Sequence, residues 1–345
     1  MTLPLLKTCF GVKTVSLMSG LLLATTAYAE PKLSTNNTIK TSITQRANML
    51  PNVSSAIDNR LRQVLTQAGI KTSITAITVS EFPNMYKVSL VDQPPLHMTA
   101  DGGYVIQAEL QKNPNPSRKI LNPTPTQVDS ASIGQPINPN AQMLLYYTAI
   151  PGVLWGASSE GIPFLLSADA QYITDSEISV IQDGSFMGLD QNFETRKNKL
   201  VLSSLDATQL IVYPATTTER AVIYVATDVN CPYCRRLHQQ LPMLNAKGIT
   251  VKAIGYPIYE QSFEPMRAIW CLGDKDRRRD AFDKAMLQGE MPAATTSCET
   301  SAISPNRRKA AYLGNMTTPA IYREDGVFYQ ASFESPEFLE FLGIE

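Results

Sequence analysis

The sequence has 345 residues, of which 43% are hydrophobic and 18% are charged, and its formal net charge at pH 7 is −1. A chain of this length is expected to form two or three domains, with a core that does not need disulfide bonds for its stability. The nearly balanced charge gives no indication of nucleic-acid binding.

The first 29 residues have the layout of a cleavable secretory signal. Lys7 and Lys13 precede an apolar run at 15–24, and the small residues at 27–29 form an A-x-A site. The alternative is an uncleaved anchor, but the apolar run is short for a membrane span. We therefore expect cleavage after Ala29, export of the chain and no membrane insertion of the mature protein.

Signal removal leaves four cysteines, at positions 231, 234, 271 and 298. In an oxidising compartment, disulfide chemistry is the first interpretation of such a set. Because the core is large enough without crosslinks, these cysteines are free to have a chemical rather than a structural role.

Residues 30–50 are rich in polar residues and are expected to form a flexible tail. The next segment, 51–112, is predicted to be a helix on a small antiparallel sheet. Ser54 can cap the helix and Gly69 can close it, because apolar residues recur between them at helical spacing. The predicted strands span 74–80, 85–91, 96–99 and 104–110.

An internal repeat extends this unit, since residues 83–110 align without a gap onto residues 151–178. Asp101 and Tyr104 fall on Asp169 and Tyr172, for example. Chance alternation of strand residues could produce part of this match. The interpretation we prefer is a second, partial copy of the sheet unit at 143–182.

The remaining segments connect these units. Residues 113–142 are proline-rich, with six prolines between 113 and 140, and indicate a linker. A connector at 183–209, with a short helix in its second half, leads to a last domain at 210–345.

The chemistry of the last domain centres on Cys231-Pro232-Tyr233-Cys234, which follows a buried strand at 222–226. Pro232 suits the first helical position and so places Cys231 at the helix N-cap. Free backbone N–H groups and the helix dipole favour a thiolate there. Cys231 is the predicted nucleophile, and Cys234, one turn inside the helix, is the predicted resolving thiol.

Two other interpretations of this segment are weaker. Zinc would need further ligands at suitable spacing, and we predict no metal site. His238 lies one helical turn beyond Cys234, on what we take to be a polar helix face, and is not assigned a catalytic role. Arg235 and Arg236 could tune the thiolate or could be solvated.

Thr318-Pro319 opens a late strand, after a mostly helical insertion from about 260 to 313. A cis peptide bond there would present the backbone of Thr318 beside the Cys231 sulfur, where a peptide substrate could pair as an added strand. The alternative is an ordinary turn proline. We expect Thr318, Pro319, Pro232 and Tyr233 to contact the substrate.

These motifs resemble the periplasmic DsbC and DsbG thiol:disulfide isomerases, whose catalytic domain is thioredoxin-like. Thr318 before the proline is similar to the isomerase branch, whereas the Cys-Pro-Tyr-Cys sequence is more similar to DsbG. Segment 51–112 resembles the family's cystatin-like dimerisation domain. The resemblance implies an α+β and α/β fold, with cystatin-like sheet units before a thioredoxin-like domain that carries a helical insertion.

The same resemblance implies a structural disulfide between Cys271 and Cys298, with a second redox relay as the alternative. It also implies a homodimer, a membrane reductase of the DsbD type as electron source, and no cofactor. The carboxylate that many thioredoxins keep six residues before the first cysteine is absent, since Val225 stands there.

The predicted function is isomerisation or reduction of non-native disulfides in misfolded exported proteins of the periplasm. Two alternatives remain open from the sequence. One is a DsbG-like reductase of single or sulfenylated cysteines, and the other is a chaperone whose binding cleft matters more than its thiols.

Overall fold

The computed structural model describes residues 53–116, 127–293, 303–314 and 317–344. The predicted signal peptide, the tail at 30–50 and Cys298 lie outside these residues. The helices are α1 (Ser55–Gln67), α2 (Gln191–Ser204), α3 (Pro232–Gln239), α4 (Leu241–Ala246), α5 (Phe263–Trp270), α6 (Lys275–Leu287), α7 (Ile303–Ala310) and α8 (Glu337–Phe341).

The strands of the described residues form three sheets. The first sheet has the order β1 (Ile74–Val79), β2 (Met85–Leu90), β3 (Gln93–Thr99), β4 (Tyr104–Gln107), β10 (Ser179–Gln182) and β11 (Ser185–Leu189). The second has the order β5 (Gln111–Lys112), β9 (Tyr172–Thr174), β8 (Pro163–Ser167), β7 (Val153–Ala157) and β6 (Leu145–Tyr147). The third has the order β12 (Ile211–Tyr213), β14 (Ile249–Gly255), β13 (Ala221–Thr227), β15 (Ala320–Arg323) and β16 (Phe328–Tyr329).

Helix α1 forms where its sequence signals place it. The Ser54 hydroxyl accepts the Ile57 N–H, and Gly69 takes a positive φ of 80° just past the helix end. Leu61 and Leu65 are fully buried on the face that meets the first sheet. The capping prediction at both ends is therefore confirmed.

The first two sheets exchange strands. β4 ends at Gln107 rather than at the predicted residue 110, and β5, which follows it, pairs with β9 of the second sheet. Conversely, β10 belongs to the second segment of the sequence but pairs with β4 of the first sheet. Strand β3 also begins earlier than predicted, at Gln93. Sequence periodicity gives no information about which sheet a short strand joins, because that depends on long-range pairing.

Corresponding turns of the aligned segments share their hydrogen bonds. The Asp101 carboxylate accepts the Thr99 hydroxyl at 2.5 Å, and the Asp169 carboxylate accepts the Ser167 hydroxyl at 2.6 Å. Each carboxylate also accepts the backbone N–H two residues further on, at 3.0 Å in both turns. The similarity of the two segments therefore extends from residue types to local geometry.

The helical part of the connector is longer than predicted. The Asp190 carboxylate accepts the Phe193 N–H and caps α2, which begins near the start of the predicted connector. Phe193 and Val201 of α2 pack in the same core as Trp155 of the second sheet. Helix α2 therefore covers the second sheet, whose own segment at 143–182 contains no helix.

Strand β13 is buried on both faces, as a central strand of an α/β sheet should be. Ile223 and Val225 face a core that also contains Cys231, Cys234 and residues of helices α3, α5 and α6. Tyr224 and Ala226 face the core shared with α2 and the second sheet. Because successive side chains of β13 point to opposite faces of the sheet, this strand joins the core of the last domain to the core of the preceding units.

The N-cap of the last helix, α8, is Pro336, and no side chain caps it. The Ser335 hydroxyl instead lies 2.9 Å from the Tyr329 hydroxyl, where it ties the helix start to β16.

Candidate active site

The two cysteines lie where the buried strand β13 passes into helix α3. Cys231 is the N-cap residue, and Pro232 occupies the first turn, as the sequence predicts. The Cys231 sulfur accepts the backbone N–H of Cys234 at 3.3 Å. An N-cap position exposes this sulfur to the unsatisfied N–H groups and the positive end of the helix dipole, and both favour negative charge.

The Cys231 sulfur lies just below the surface. The residue is only 2% exposed, but its neighbours Pro232 and Tyr233 are exposed, and Tyr233 is 58% exposed. Tyr233 forms the exposed rim beside it.

The electrostatics favour a thiolate at Cys231. The pKa of Cys231 is lowered from its usual 9.0 to about 6, chiefly by a hydrogen bond from the Cys234 thiol and against the opposing effect of burial. Thr318 and the backbone N–H groups of Cys234 and Tyr233 contribute to the same lowering. A thiolate at neutral pH is the reactive form in disulfide exchange.

Cys234 has the opposite character. Burial raises the pKa of its thiol, and the neighbouring Cys231 raises it further. Cys234 is 2% exposed and belongs to the core beneath α3. The pair thus combines a sulfur that ionises readily, Cys231, with one that keeps its proton, Cys234. This difference suits Cys231 to attack first and Cys234 to react in a later step.

The Thr318–Pro319 bond is cis, as the sequence predicts. Strand β15 follows it and pairs antiparallel with β13, with Ala320 opposite Ala226. This pairing brings the two loops together, so the Cys231 thiol can donate to the Thr318 carbonyl at 3.2 Å. The Thr318 hydroxyl is buried and has no hydrogen-bond partner among the described residues.

The Asp228 carboxylate holds the loop before Cys231 in place through hydrogen bonds, a role that was not predicted from the sequence. One carboxylate oxygen accepts the Asn230 N–H at 2.7 Å and the Ser262 hydroxyl at 2.5 Å. The other accepts the N–H groups of Ile258 and Tyr259 at 2.7 and 3.2 Å. In the sequence, Asp228 is visible only as an acidic residue directly after a buried strand. Its four hydrogen-bond partners could not be inferred, because they lie up to 34 residues away.

The two arginines of α3 have partners away from the Cys231 sulfur. The Arg235 guanidinium donates to the Val229 carbonyl at 2.8 Å, and Arg236 forms an ion pair with Glu334. Arg236 also lies 5.2 Å from the centroid of the Tyr233 ring. The largest effects on the pKa of Cys231 come from other groups. Arg235 thus supports the loop, and Arg236 supports the exposed rim.

The predicted placement of His238 on a polar helix face is wrong. His238 is 7% exposed, and its Nε2 atom lies 2.8 Å from the Asp283 carboxylate. The ring packs edge-on against Tyr213 and Phe282, with centroid distances of 5.3 Å to each. Helix α6 covers this face of α3, and that long-range contact is absent from the periodicity of α3 alone.

Cys271 is the C-cap residue of α5 and is disulfide-bonded. Its predicted partner, Cys298, lies outside the described residues, so the pairing remains a prediction. Within the described ranges, no group of three or more His, Cys, Asp or Glu side chains could hold a metal ion. None of the helices described is long and apolar enough to cross a bilayer.

A strand-to-helix Cys-X-X-Cys site opposite a cis proline, in a sheet with β13 at its centre, defines a thioredoxin-like thiol:disulfide oxidoreductase. The family model of the thioredoxin-like domain matches residues 208–342. The chain is 35% identical over 178 residues to DsbC of Salmonella typhimurium and covers 72% of that protein. The chain therefore belongs to the DsbC family of thiol:disulfide interchange proteins.

Other relatives agree with this assignment. DsbC of Escherichia coli K12 is 34% identical over 184 residues, which is 51% of this chain and 75% of the relative. The Salmonella match spans 49% of this chain. A crystal structure of a disulfide interchange protein from Neisseria gonorrhoeae aligns with 40% of this chain and 96% of its own, at 18% identity and a TM-score of 0.34, and adds nothing to the assignment.

Proposed function

We propose that this protein isomerises non-native disulfides in exported proteins of the periplasm, with Cys231 as the nucleophile. The observation that carries the proposal is the position of the Cys231 sulfur. It lies at the N-cap of α3, has its pKa lowered to about 6, and faces the Thr318 carbonyl at 3.2 Å. These features give a reactive thiolate next to backbone that a peptide can pair with.

The reaction begins when the Cys231 thiolate attacks one sulfur of a wrong disulfide. A mixed disulfide forms and a substrate thiolate leaves. In isomerisation, another substrate thiolate attacks the substrate sulfur of the mixed disulfide and releases Cys231 unchanged. In reduction, Cys234 attacks the Cys231 sulfur, and two electrons pass to the substrate as the Cys231–Cys234 disulfide forms.

Thr318, Pro319, Pro232 and Tyr233 are proposed to hold the substrate. Tyr233 is exposed and can contact apolar side chains next to the attacked cysteine. The buried Thr318 hydroxyl, which has no partner among the described residues, can donate to a thiolate at Cys231. Pro319 removes a backbone donor beside the sulfur and leaves the Thr318 carbonyl as the acceptor for an incoming strand.

Segments 51–112 and 143–182 are proposed to be a cystatin-like unit and its partial duplicate, and the shared turn geometry at Asp101 and Asp169 supports this. We further propose that the protein is a homodimer. In the first sheet, β1 and β11 are the edge strands, and an edge strand can pair with another chain. A structural Cys271–Cys298 disulfide, signal cleavage after Ala29 and reduction by a DsbD-type protein complete the proposal.

Refolding of scrambled ribonuclease tests this function. The wild-type protein is expected to restore ribonuclease activity, and Cys231→Ala is expected to lose this effect. Cys234→Ala serves as the matched control, because it keeps the attacking sulfur and should still reshuffle disulfides. Equal activity of wild type and Cys231→Ala would favour a chaperone. Reduction of sulfenylated cysteines without reshuffling would favour the DsbG-like reductase.

A further inference from the structure

A small cavity of about 20 Å³ lies beneath Cys234. Four side chains with a polar group line it, those of Tyr213, Thr227, Cys234 and His238. The other lining residues are apolar: Val225, Leu237, Leu241, Val251 and Ala253. A cavity of this size can hold one water molecule when two to four polar groups are available to it.

The His238 ring in this cavity wall is held by three neighbours. Its Nε2 lies 2.8 Å from the Asp283 carboxylate oxygen, which also accepts the Tyr213 hydroxyl at 2.6 Å. The rings of Tyr213 and Phe282 pack on it edge-on. Because a carboxylate oxygen accepts hydrogen bonds, Nε2 carries the proton, and the lone pair of neutral His238 is then on Nδ1.

Cys234 needs a proton acceptor at one step of the reaction. Burial raises the pKa of its thiol, and a neutral thiol attacks a disulfide poorly. In the mixed disulfide, Cys231 is bonded and has no free thiolate to take the proton. The Thr227 hydroxyl stabilises a Cys234 thiolate, but a hydroxyl of this kind is not a base.

The charged and titratable groups around the cavity leave one base. On α6, the Asp283 carboxylate accepts hydrogen bonds from His238 and Tyr213, and the positive charge of Arg279 opposes the rise in the pKa of Tyr213. From β12, burial raises the pKa of the Tyr213 hydroxyl and keeps it protonated. Asp228 uses both carboxylate oxygens to brace the loop. His238, from α3 itself, is the remaining side chain that lines the cavity and can accept a proton.

We propose that His238 accepts the Cys234 proton, through a water molecule in this cavity, as Cys234 attacks the mixed disulfide. The Cys234–Cys231 bond forms, the bond from Cys231 to the substrate sulfur breaks, and the substrate leaves as a thiolate. The proton passes from Cys234 to Nδ1 of His238 and later to solvent. Asp283 is a positioning residue that holds the ring in the required tautomer. This inference rests on the proposed role of Cys231.

Stopped-flow reaction of the reduced protein with 5,5′-dithiobis(2-nitrobenzoate) separates the two steps. Attack by Cys231 releases one coloured thiolate in a phase whose rate rises with reagent concentration. Attack by Cys234 releases the second in a phase that is independent of reagent concentration. The absence of a fast first phase in the wild type would contradict the proposed function, whereas the second phase tests His238.

His238→Gln is expected to slow the second phase roughly 100-fold, as typical for loss of a general base, and to leave the first phase within twofold of wild type. Asp283→Asn should slow the second phase less. His97→Gln is the matched control, because His97 is also buried but lies in the first sheet, bonded to Ser80 and Ala108. It should leave both phases unchanged.

The pH profile distinguishes proton acceptance from a purely structural effect. In the wild type, the rate of the second phase should fall as pH is lowered, with an inflection that His238→Gln removes. A second phase in His238→Gln within twofold of wild type would overturn the proposal. The proposal would also be overturned if the rate of the wild-type second phase showed no inflection from a second ionising group as pH is varied. This measurement does not require the variant to fold.

Discussion

Substitution of Asp228 should destabilise the protein more than the loss of an ordinary surface carboxylate. Its side chain is fully buried and accepts four hydrogen bonds that tie the loop before Cys231 to Ser262 and to the loop after β14. Asp228→Ala leaves these four donors without their acceptor, at a cost of about 4 kcal/mol, because each hydrogen bond contributes about 1 kcal/mol.

Asp228→Asn keeps the shape but replaces one acceptor oxygen with a donor group. If the amide oxygen keeps the bonds from Ile258 and Tyr259, the amide NH₂ then faces the Asn230 N–H. The Ser262 hydroxyl can rotate, whereas a backbone N–H cannot. We expect a cost of about 2 kcal/mol, for one or two lost bonds to a charged group.

Urea unfolding of the reduced wild-type and variant proteins measures both costs, with Asp274→Ala as a control. Asp274 caps α6 through one bond to the Arg277 N–H and should cost about 1 kcal/mol. Because the Asp228 loop leads directly into Cys231, Asp228→Ala should also raise the pKa of Cys231. A loss below 1 kcal/mol in Asp228→Ala, or the same loss as in Asp274→Ala, would refute the bracing role.

Three further predictions follow from the same structure. Lys197 is fully buried, lies 2.9 Å from Glu194 and 3.8 Å from the Trp155 ring centroid, and should depend on its partner. Glu194→Gln should therefore destabilise the protein by about 2 kcal/mol in urea unfolding, whereas Lys197→Met should cost less; the reverse order would contradict this. The lowered pKa of Cys231 makes the reduced protein gain stability over Cys231→Ser as pH rises from about 6 to 9.0, and that gain disappears as pH falls below about 6. A flat difference in thermal unfolding over this range would argue against a thiolate. Light scattering of the mature protein should give twice the protomer mass, and a monomer that still isomerises disulfides would show that pairing of two chains is not needed.

The parts of the site that the sequence predicted depend on local signals. Pro232 after Cys231 fixes the start of α3, because proline is favoured at the first helical position and cannot continue a helix from before it. The strand after Thr318-Pro319 was also predicted from local signals, whereas the cis bond was expected because redox domains of this type keep a cis proline at this position. Such signals act over a few residues, so they can be recognised without knowledge of the packing.

The parts that the sequence did not predict depend on distant partners. The burial of His238 comes from α6, which reaches it with Asp283, 45 residues later. The four bonds of Asp228 and the exchange of β5 and β10 between sheets also join residues far apart in the chain. One apolar pattern is compatible with several such pairings, so the choice among them is made only by the complete fold.

The ionisation of the Cys231 sulfur is the property on which the proposed reaction depends. Ultraviolet absorbance of the thiolate near 240 nm, recorded against pH for reduced wild type and Cys231→Ser, measures it directly. We expect a transition at about pH 6 in the wild type that is missing in the variant. A transition close to the usual 9.0, or one that persists in Cys231→Ser, would contradict it.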